Sequence, residues 1–319
     1  MNRNNNSIKI DWFEFTIRTN DLYEALDFLG LSPSDFSPRS GRNGYTHGLT
    51  YNYNQDFIVL YSGNGQYSDS MGVHFVFSGS AIPTFFELVC HCNDSAQMKL
   101  NFDDKMHRFA VWFNDLYIQK LIKVSRVDIA FDDYEFYAAQ DVLSLWNCGK
   151  ISSHFKSSEI RQKEDNKICT GFTAYFGSRK SNVFLRVYDK RLEQNCLDLD
   201  RWTRFEFQLK DDKALAFLSK GLKEYQFDFD NYCRGLFYKF FEIKDDLFSD
   251  FLENASCIKI GRPTKKQKTM ESVVLWLLHT AGPSIRTVIE LSDGNEQLLS
   301  DLAHSPRRSD HMALSQTIE

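Results

Sequence analysis

The stretch from Thr170 to Lys190, TGFTAYFGSRKSNVFLRVYDK, reads as a β-hairpin whose second strand ends on a tyrosine among basic residues. Successive side chains of a strand point to opposite faces. Arg186, Tyr188 and Lys190 therefore share one face, while Phe184, Val187 and their neighbours are largely apolar.

The same alternation runs through two further segments. In SRVDIAFDD (Ser125–Asp133), Val127, Ile129 and Phe131 fall on one face, and Arg126, Asp128, Ala130 and Asp132 on the other. In WTRFEFQLK (Trp202–Lys210), Phe205, Phe207 and Leu209 oppose Arg204, Glu206, Gln208 and Lys210. Ordinary amphipathicity, with one face in the core and one in water, accounts for such charge. It accounts less well for an Asp among large apolar residues at the opening of two strands, Asp11 in IKIDWFEFTI and Asp128, because Asp is disfavoured in strands. A shared site on the polar face explains both.

Outward from these strands the chain reads as two runs of the same element order. The first has a strand at Ile8–Ile17, a helix at about Asp21–Leu29, strands near Tyr45–Tyr53, Phe57–Ser62 and Gly72–Ser78, and helices over Pro83–Cys90 and Asp103–Ile122. The second has Ser125–Asp133, a helix at about Ala138–Trp146, strands at Gly171–Phe176, Val183–Asp189 and Trp202–Lys210, and helices over Lys213–Lys220 and Asn231–Ile243. The expected fold is α+β: a broad, curved, mainly antiparallel sheet from two pseudo-repeated β-α-β-β-β-α units, helices on one face and the other face open. The units span 1–124 and 125–258, the second carrying the tyrosine. A basic linker follows at 259–268, then a helical C-terminal segment at 269–304 and a disordered tail at 305–319.

Composition excludes several classes. The 319 residues are 42% hydrophobic and rich in Phe (28), which suits a sheet-rich core. No apolar run reaches the roughly 18 residues of a membrane helix, and MNRNNNSIKI lacks the apolar centre of a signal peptide, so a cytoplasmic protein is expected. The seven Cys are scattered; Cys90-His91-Cys92 has no second pair at zinc-site spacing, and the thiols are read as reduced. Net charge is −5, yet residues 150–191 hold ten Lys/Arg against four acids, and Lys259, Arg262, Lys265, Lys266 and Lys268 form a second basic cluster. Basic patches that face one way can bind a phosphate backbone; the run 150–167 by itself is read as a solvated loop.

Several carboxylates near a phenol and cations suit phosphoryl transfer. Carboxylates can hold Mg²⁺ or Mn²⁺, hard cations that prefer oxygen, and such an ion polarises a phosphate. A phenol is a weak nucleophile near neutrality; Arg186 and Lys190 are expected to favour its phenolate.

At these residues the chain resembles the trans-acting rolling-circle replication initiators of small plasmids, with relatives in filamentous phages and among conjugative relaxases. The motifs that carry the resemblance are Asp11-Trp12 in IDWFEFT, Arg126-Val127-Asp128 in SRVDIAFDD, TAYFGSRKSNVFLRVYDK, and Arg204-Phe205-Glu206 in WTRFEFQLK. Together they span residues 8–210 in the family's order. The resemblance implies a metal-dependent nicking and joining enzyme that forms a 5′-phosphotyrosyl link at an origin. Tyr188 matches the family's nucleophile, with Arg186 and Lys190 beside it; Tyr175 is the rival. Asp11, Asp128, Asp132 (or Asp133) and Glu206 match its acids and are the expected ligands of Mg²⁺ or Mn²⁺. Arg126, Arg179, Lys180, Arg204, Lys265, Lys266 and Lys268 are expected to contact DNA. Family members are often dimers that recruit a host helicase, so origin DNA (double- and single-stranded), a helicase and a second copy are the partners to expect, and no membrane.

The chain begins at the first motif strand without a helix-turn-helix segment ahead of it, which favours an initiator over a relaxase. No His-hydrophobic-His pair is present, which excludes the histidine-metal nicking enzymes, and the Arg, His-x-x-Arg and Tyr set of tyrosine recombinases is missing. A conjugative relaxase with the same chemistry is the alternative. A non-catalytic nucleic-acid-binding module is another, since a sheet with open-face aromatics can stack bases.

Overall fold

A computed structural model describes residues 7–62, 71–91, 102–166, 168–225 and 227–253, with positions 255, 258 and 274 besides. In chain order the elements are β1 (Ser7–Ile17), α1 (Leu22–Asp27), a 3₁₀ turn at Pro33–Asp35, β2 (Phe36–Ser40), β3 (His47–Tyr51), β4 (Asn54–Tyr61), β5 (Val73–Ser78), α2 (Ala81–His91) and α3 (Phe102–Ile118). They continue as β6 (Ile122–Asp133), α4 (Ala139–Asn147), β7 (Ile151–Ser153), β8 (Ser158–Asp165), β9 (Ile168–Phe176), β10 (Val183–Asp189), α5 (Lys190–Glu193), β11 (Thr203–Lys210), α6 (Asp211–Glu224), α7 (Phe229–Phe240), β12 (Phe241–Ile243) and α8 (Phe248–Phe251). The expected basic linker, C-terminal helices and tail lie outside the described residues, Val274 excepted.

Ten strands form one sheet in the order β2-β3-β4-β5-β1-β6-β11-β10-β9-β8, with antiparallel pairing between neighbours. β1 and β6 lie side by side at its centre. β5, β4, β3 and β2 extend one flank, and β11, β10, β9 and β8 the other. In each half four sheet strands follow the opening strand, where three were expected. The additions, β2 and β8, are the two edges. β2 carries Pro38, which an edge strand tolerates. β8, read from sequence as a solvated loop, is SEIRQKED, with every residue exposed; charge along an edge blocks further strand addition.

The core lies between one sheet face and the long helices. Phe13 and Phe15 of β1, Phe57 of β4 and Phe75 and Phe77 of β5 form a ladder, with Phe57 and Phe77 stacked at 4.0 Å. Phe85 of α2 and Phe109 and Trp112 of α3 meet it mostly edge-on. In the second half Phe237 of α7 sits among Phe131, Phe205 and Phe207 at 4.8–5.3 Å. Edge-to-face and offset stacking add to the burial of so many rings.

Several boundaries moved. The α3 helix stops at Ile118, Lys120 takes a left-handed backbone (φ 59°), and β6 starts at Ile122, earlier than expected. The helix expected to reach Ile243 ends at Phe240, and 241–243 pairs with β7. β10 ends at Asp189, whose carboxylate caps α5 by accepting the Leu192 N–H (3.0 Å), so Lys190 belongs to α5 and not to the strand. Phe184 shares the Arg186 face, stacked on Tyr175 at 5.8 Å, and not the apolar one.

Two bulges shape the central pair. Between β1 and β6 the register skips Asp11 on β1 and Ser125 on β6. An extra residue reverses strand parity. Ile10 and Phe13 thus both reach the core, and Asp11 and Trp12 stand together between them. On β6, Val124 and Val127 are likewise both buried.

Candidate active site

The face of the sheet away from the long helices carries the polar residues that strand parity predicts. Across β10, β11 and β6 the register aligns Tyr188 with Arg204 and Asp132, and Arg186 with Glu206 and Ala130; Gln208 aligns with Asp128. Ala130 is the small side chain in this field of charge.

Two clusters result. In the first, the Tyr188 hydroxyl donates to Glu206 Oε2 at 3.1 Å, and Arg186 binds Glu206 Oε1. Asp128 receives Arg126 Nε at 2.8 Å and Gln208 Nε2 at 3.4 Å, and lies 4.0 Å from Arg186. In the second, Arg204 grips Asp132 with two parallel bonds (2.6 and 2.7 Å) and reaches Asp11 Oδ1 at 3.2 Å. Trp202 Nε1 also donates to Asp132 (2.9 Å), and Lys9 Nζ stands 3.7 Å from Asp132 and 3.9 Å from Asp11.

Burial makes these contacts count. Asp128, Asp132, Arg204 and Glu206 are each at most 3% exposed, although they stand on the polar face. Burial raises the Glu206 carboxyl above its usual range; Arg186 opposes this, and the neighbouring Asp128 carboxylate adds to it. Burial likewise lifts Asp11, against the pull of Arg204. It pushes Asp132 up too, but the bonds and charge of Arg204, with Trp202 and Lys9, win and hold it below the ordinary carboxylate range. The Tyr188 phenol is raised well above its usual value, first by burial and then by Glu206; Arg204 and Arg186 oppose this without reversing it. The arginine beside the phenol was expected to favour the phenolate, but burial and Glu206 outweigh it, and the resting phenol is neutral. Lys190 pairs with Glu193 and holds its ammonium 5.5 Å from the Tyr188 ring centre.

The four carboxylates expected to ligate one cation are therefore divided: Asp128 with Glu206, and Asp11 with Asp132 around Arg204. Among the described residues no three His, Cys, Asp or Glu side chains are placed to hold a metal ion. Asp133, the sequence alternative to Asp132, instead accepts the N–H groups of Glu135, Phe136 and Tyr137 (2.7–2.8 Å) and fixes the turn after β6.

Of the expected DNA contacts, Arg126 lies over the Trp12 ring (4.2 Å) while bound to Asp128, and Arg204 is buried among carboxylates. Arg179 covers Tyr175 at 4.6 Å, and Lys180 is exposed beside it. Lys265, Lys266 and Lys268 lie outside the described residues. Tyr175 is flanked by cations, with Arg161 5.5 Å from its ring, where Tyr188 meets a carboxylate. Sequence reading missed Lys9 and Trp202. Both were legible by spacing, Trp202 two residues before Arg204 and Lys9 two before Asp11.

The profile of the family described as "Replication initiation factor" matches residues 122–302. A Bacillus subtilis (strain 168) protein named "Putative DNA relaxase NicK" is 27% identical over 224 residues, 67% of this chain; the chain spans 58% of that relative's length. The rolling-circle replication initiator protein of Geobacillus stearothermophilus has the same fold, with a TM-score of 0.62 at 20% identity over 81% of this chain and 99% of that one. No described helix is long and apolar enough to cross a membrane. With more than half of its length matched by the family profile, including the strands that carry Tyr188, Arg204 and Glu206, the chain belongs to the replication initiation factor family.

Proposed function

We propose that this protein nicks and rejoins one DNA strand at a replication origin, with Tyr188 as the nucleophile. The observation that carries the reading is the 3.1 Å bond from the Tyr188 hydroxyl to Glu206, whose other oxygen is bound to Arg186. It supplies a nucleophile, a proton acceptor within reach and a cation to hold that acceptor in place.

In the reaction Tyr188 Oη attacks the scissile phosphorus as its proton passes to Glu206. The bond from phosphorus to the 3′ oxygen breaks, and that oxygen leaves and takes up a proton from water to become a 3′-hydroxyl. The 5′ phosphate stays on the tyrosine. A later 3′-hydroxyl reverses the step and seals the strand, because the phosphodiester energy is kept in the phosphotyrosine. The neutral resting phenol makes proton removal part of the attack. Arg186 Nε is buried without an acceptor, and a phosphate oxygen would satisfy it; an unsatisfied buried donor of this kind is disfavoured unless a ligand completes it.

Asp128 and Glu206 are the residues that would hold Mg²⁺ or Mn²⁺. Two adjacent buried carboxylates, with the Glu206 carboxyl raised by burial, fit a hard cation, and when bound it would polarise the phosphate. Asp11 and Asp132 share Arg204, just as Asp128 is bound by Arg126 and Glu206 by Arg186, so an ion at either pair would displace a guanidinium. The NicK likeness favours a second reading, the same chemistry at a transfer origin.

Incubating the protein with its replicon's supercoiled DNA and Mn²⁺ should yield a denaturant-resistant adduct on a 5′ end. Tyr188→Phe should reduce the adduct to background with DNA binding intact. An adduct that persists in Tyr188→Phe removes Tyr188 from the mechanism.

A further inference from the structure

A cavity of about 650 Å³ opens beside the proposed nucleophile, at the end of the sheet where β1 begins and β11 starts. Its size lies within the range of sites that enclose one small ligand. Its apolar wall comes from Ile10 of β1, Ile82 and Phe86 of α2, Met106 of α3 and Phe229 of α7. Trp202 adds an indole, fixed by its bond to Asp132 and by stacking on Tyr134 at 5.5 Å. The lining also holds Lys9, Lys105, Lys190 and Arg204, of which Arg204 and Lys9 stand against Asp11 and Asp132 and Lys190 is paired with Glu193, and the carboxylates Asp11 and Asp230.

The bulged residue, Asp11, lies on its wall. The Asp11 carbonyl accepts the Gly79 N–H at 3.0 Å, which ties the end of β5 to the bulged residue; α2 then starts only at Ala81. The cavity thus lies where helices of the two halves face each other across the end of the central strands. Two of its lining residues, Lys190 and Arg204, adjoin the reacting group. One has its ammonium 5.5 Å from the Tyr188 ring, and the other is the register partner of Tyr188.

An apolar, partly aromatic chamber with lysine and arginine on the wall toward Tyr188 suits a flat heteroaromatic base joined to a phosphate. We propose that this cavity seats the base of a single unpaired deoxynucleotide of the nicked strand, with its phosphate on the Lys190 and Arg204 side, toward Tyr188. The inference rests on the nicking reading and gives that site its grip on single-stranded DNA. Extruding a base from its stack is unfavourable, and stacking on aromatic side chains offsets it for any base with a π-face. The seat fixes the register of the strand on the nucleophile, and it selects DNA already melted at the origin.

The test uses Tyr188→Phe protein, so that no adduct forms. Binding of the four deoxynucleoside 5′-monophosphates is compared by calorimetry with that of deoxyribose 5-phosphate, which has no base. At least one nucleotide should bind at least tenfold tighter than the baseless sugar phosphate, and a trinucleotide with that base in the middle should bind no more weakly. Ser80→Trp and Gln194→Trp, two exposed positions on the cavity wall, should each fill it and cut binding to the baseless level. Equal binding with and without a base overturns the proposal. So does base preference that survives both filling substitutions in folded protein. Binding of the mononucleotide but not of the trinucleotide also overturns it, marking a site for a free nucleotide. Adduct formation by the parent protein is scored separately. Base preference without an adduct counts against the nicking reading alone; an adduct without base preference counts against the cavity alone.

Discussion

One face of one sheet is built in two ways. On the first half, Ile58, Leu60 and Val76 are buried under Trp12 and Tyr45, and the polar chemistry is a border of Thr16, His74 and Glu14. On the second half, Asp128, Asp132, Arg204 and Glu206 occupy the equivalent depth. The backbone is the same antiparallel ladder in both. The first half shows that this face can be closed with apolar residues, so the charges of the second are not there to build the sheet. Buried ion pairs seldom beat well-packed hydrophobic residues of the same volume. A buried charge cluster beside a raised phenol is what a site looks like when function selects its residues.

The largest effect expected from breaking this contrast is on chemistry. Asp128→Asn and Glu206→Gln should each lower the rate of adduct formation by about 10²–10⁴-fold, the range that a positioned proton acceptor contributes, while Ile58→Val on the other half leaves it unchanged. Single-turnover cleavage of an origin oligonucleotide measures all three. A Glu206→Gln protein that cleaves at the parent rate would send the phenol's proton elsewhere and dissolve the proposed role of Glu206.

Next comes stability. Arg204→Met leaves Asp132 and Asp11 with only Lys9 at 3.7–3.9 Å and the Trp202 bond to Asp132, and the loss of one partner from a buried pair costs about 3–5 kcal/mol. Urea unfolding should show a loss of that size. Leu60→Ala on the apolar half should cost about 2–5 kcal/mol through its cavity, without changing the chemical rate of the protein that remains folded. If Arg204→Met costs under about 1 kcal/mol, the charges of the second half are solvated and the contrast between the halves fails.

Glu206 and Asp132 should also respond to pH with opposite signs. Glu206 has a raised carboxyl, so the folded state holds its proton more tightly than the unfolded chain does. Its contribution is full below the unfolded value, about 4.3, and is lost as pH climbs through the folded one. Asp132 is depressed, so its contribution is present above its unfolded value and lost as pH falls through the folded one. Unfolding curves taken from pH 4 to 8 should show Glu206→Gln gaining on the parent as pH rises, by up to about 1.4 kcal/mol per unit. Asp132→Asn should trail the parent by a nearly constant margin across that range, and the margin should close as pH is taken below about 4. A parallel pair of curves for Glu206→Gln and parent removes the buried-acid account.

How far the sequence discloses this depends on parity. Strand alternation alone places Arg186, Tyr188, Arg204, Glu206, Asp128 and Asp132 on one surface, and the structure brings them together. The bulge was legible too: Ile8 and Ile10 have one parity, Phe13, Phe15 and Ile17 the other, so a residue near Asp11 has to be extra. Which carboxylate meets which cation was not legible, because that depends on the register between β6 and β11, and register is set by pairing across 70 residues of chain. Asp132 and Asp133 look interchangeable in sequence; only the turn that follows tells them apart. β8 gave no signal because an edge strand exposed on both sides needs no apolar alternation.

The smallest effect tests the choice of tyrosine. Tyr175 and Tyr188 lie on adjacent strands of the same face, and sequence alone left both open as nucleophiles. Their surroundings separate them: Tyr188 donates to a buried carboxylate, whereas Tyr175 sits under Arg179, near Arg161, and against Phe184. Cations near a phenol favour its ionisation, yet a nucleophile in a concerted step also needs an acceptor for its proton, and only Tyr188 has one in contact. Tyr175→Phe keeps the ring and its cation contacts and removes only the hydroxyl. It should therefore leave adduct formation at the parent level and shift stability by no more than about 0.5 kcal/mol, as surface changes do. An adduct lost in Tyr175→Phe and kept in Tyr188→Phe would move the reacting centre one strand toward the edge, away from every buried carboxylate in the cluster.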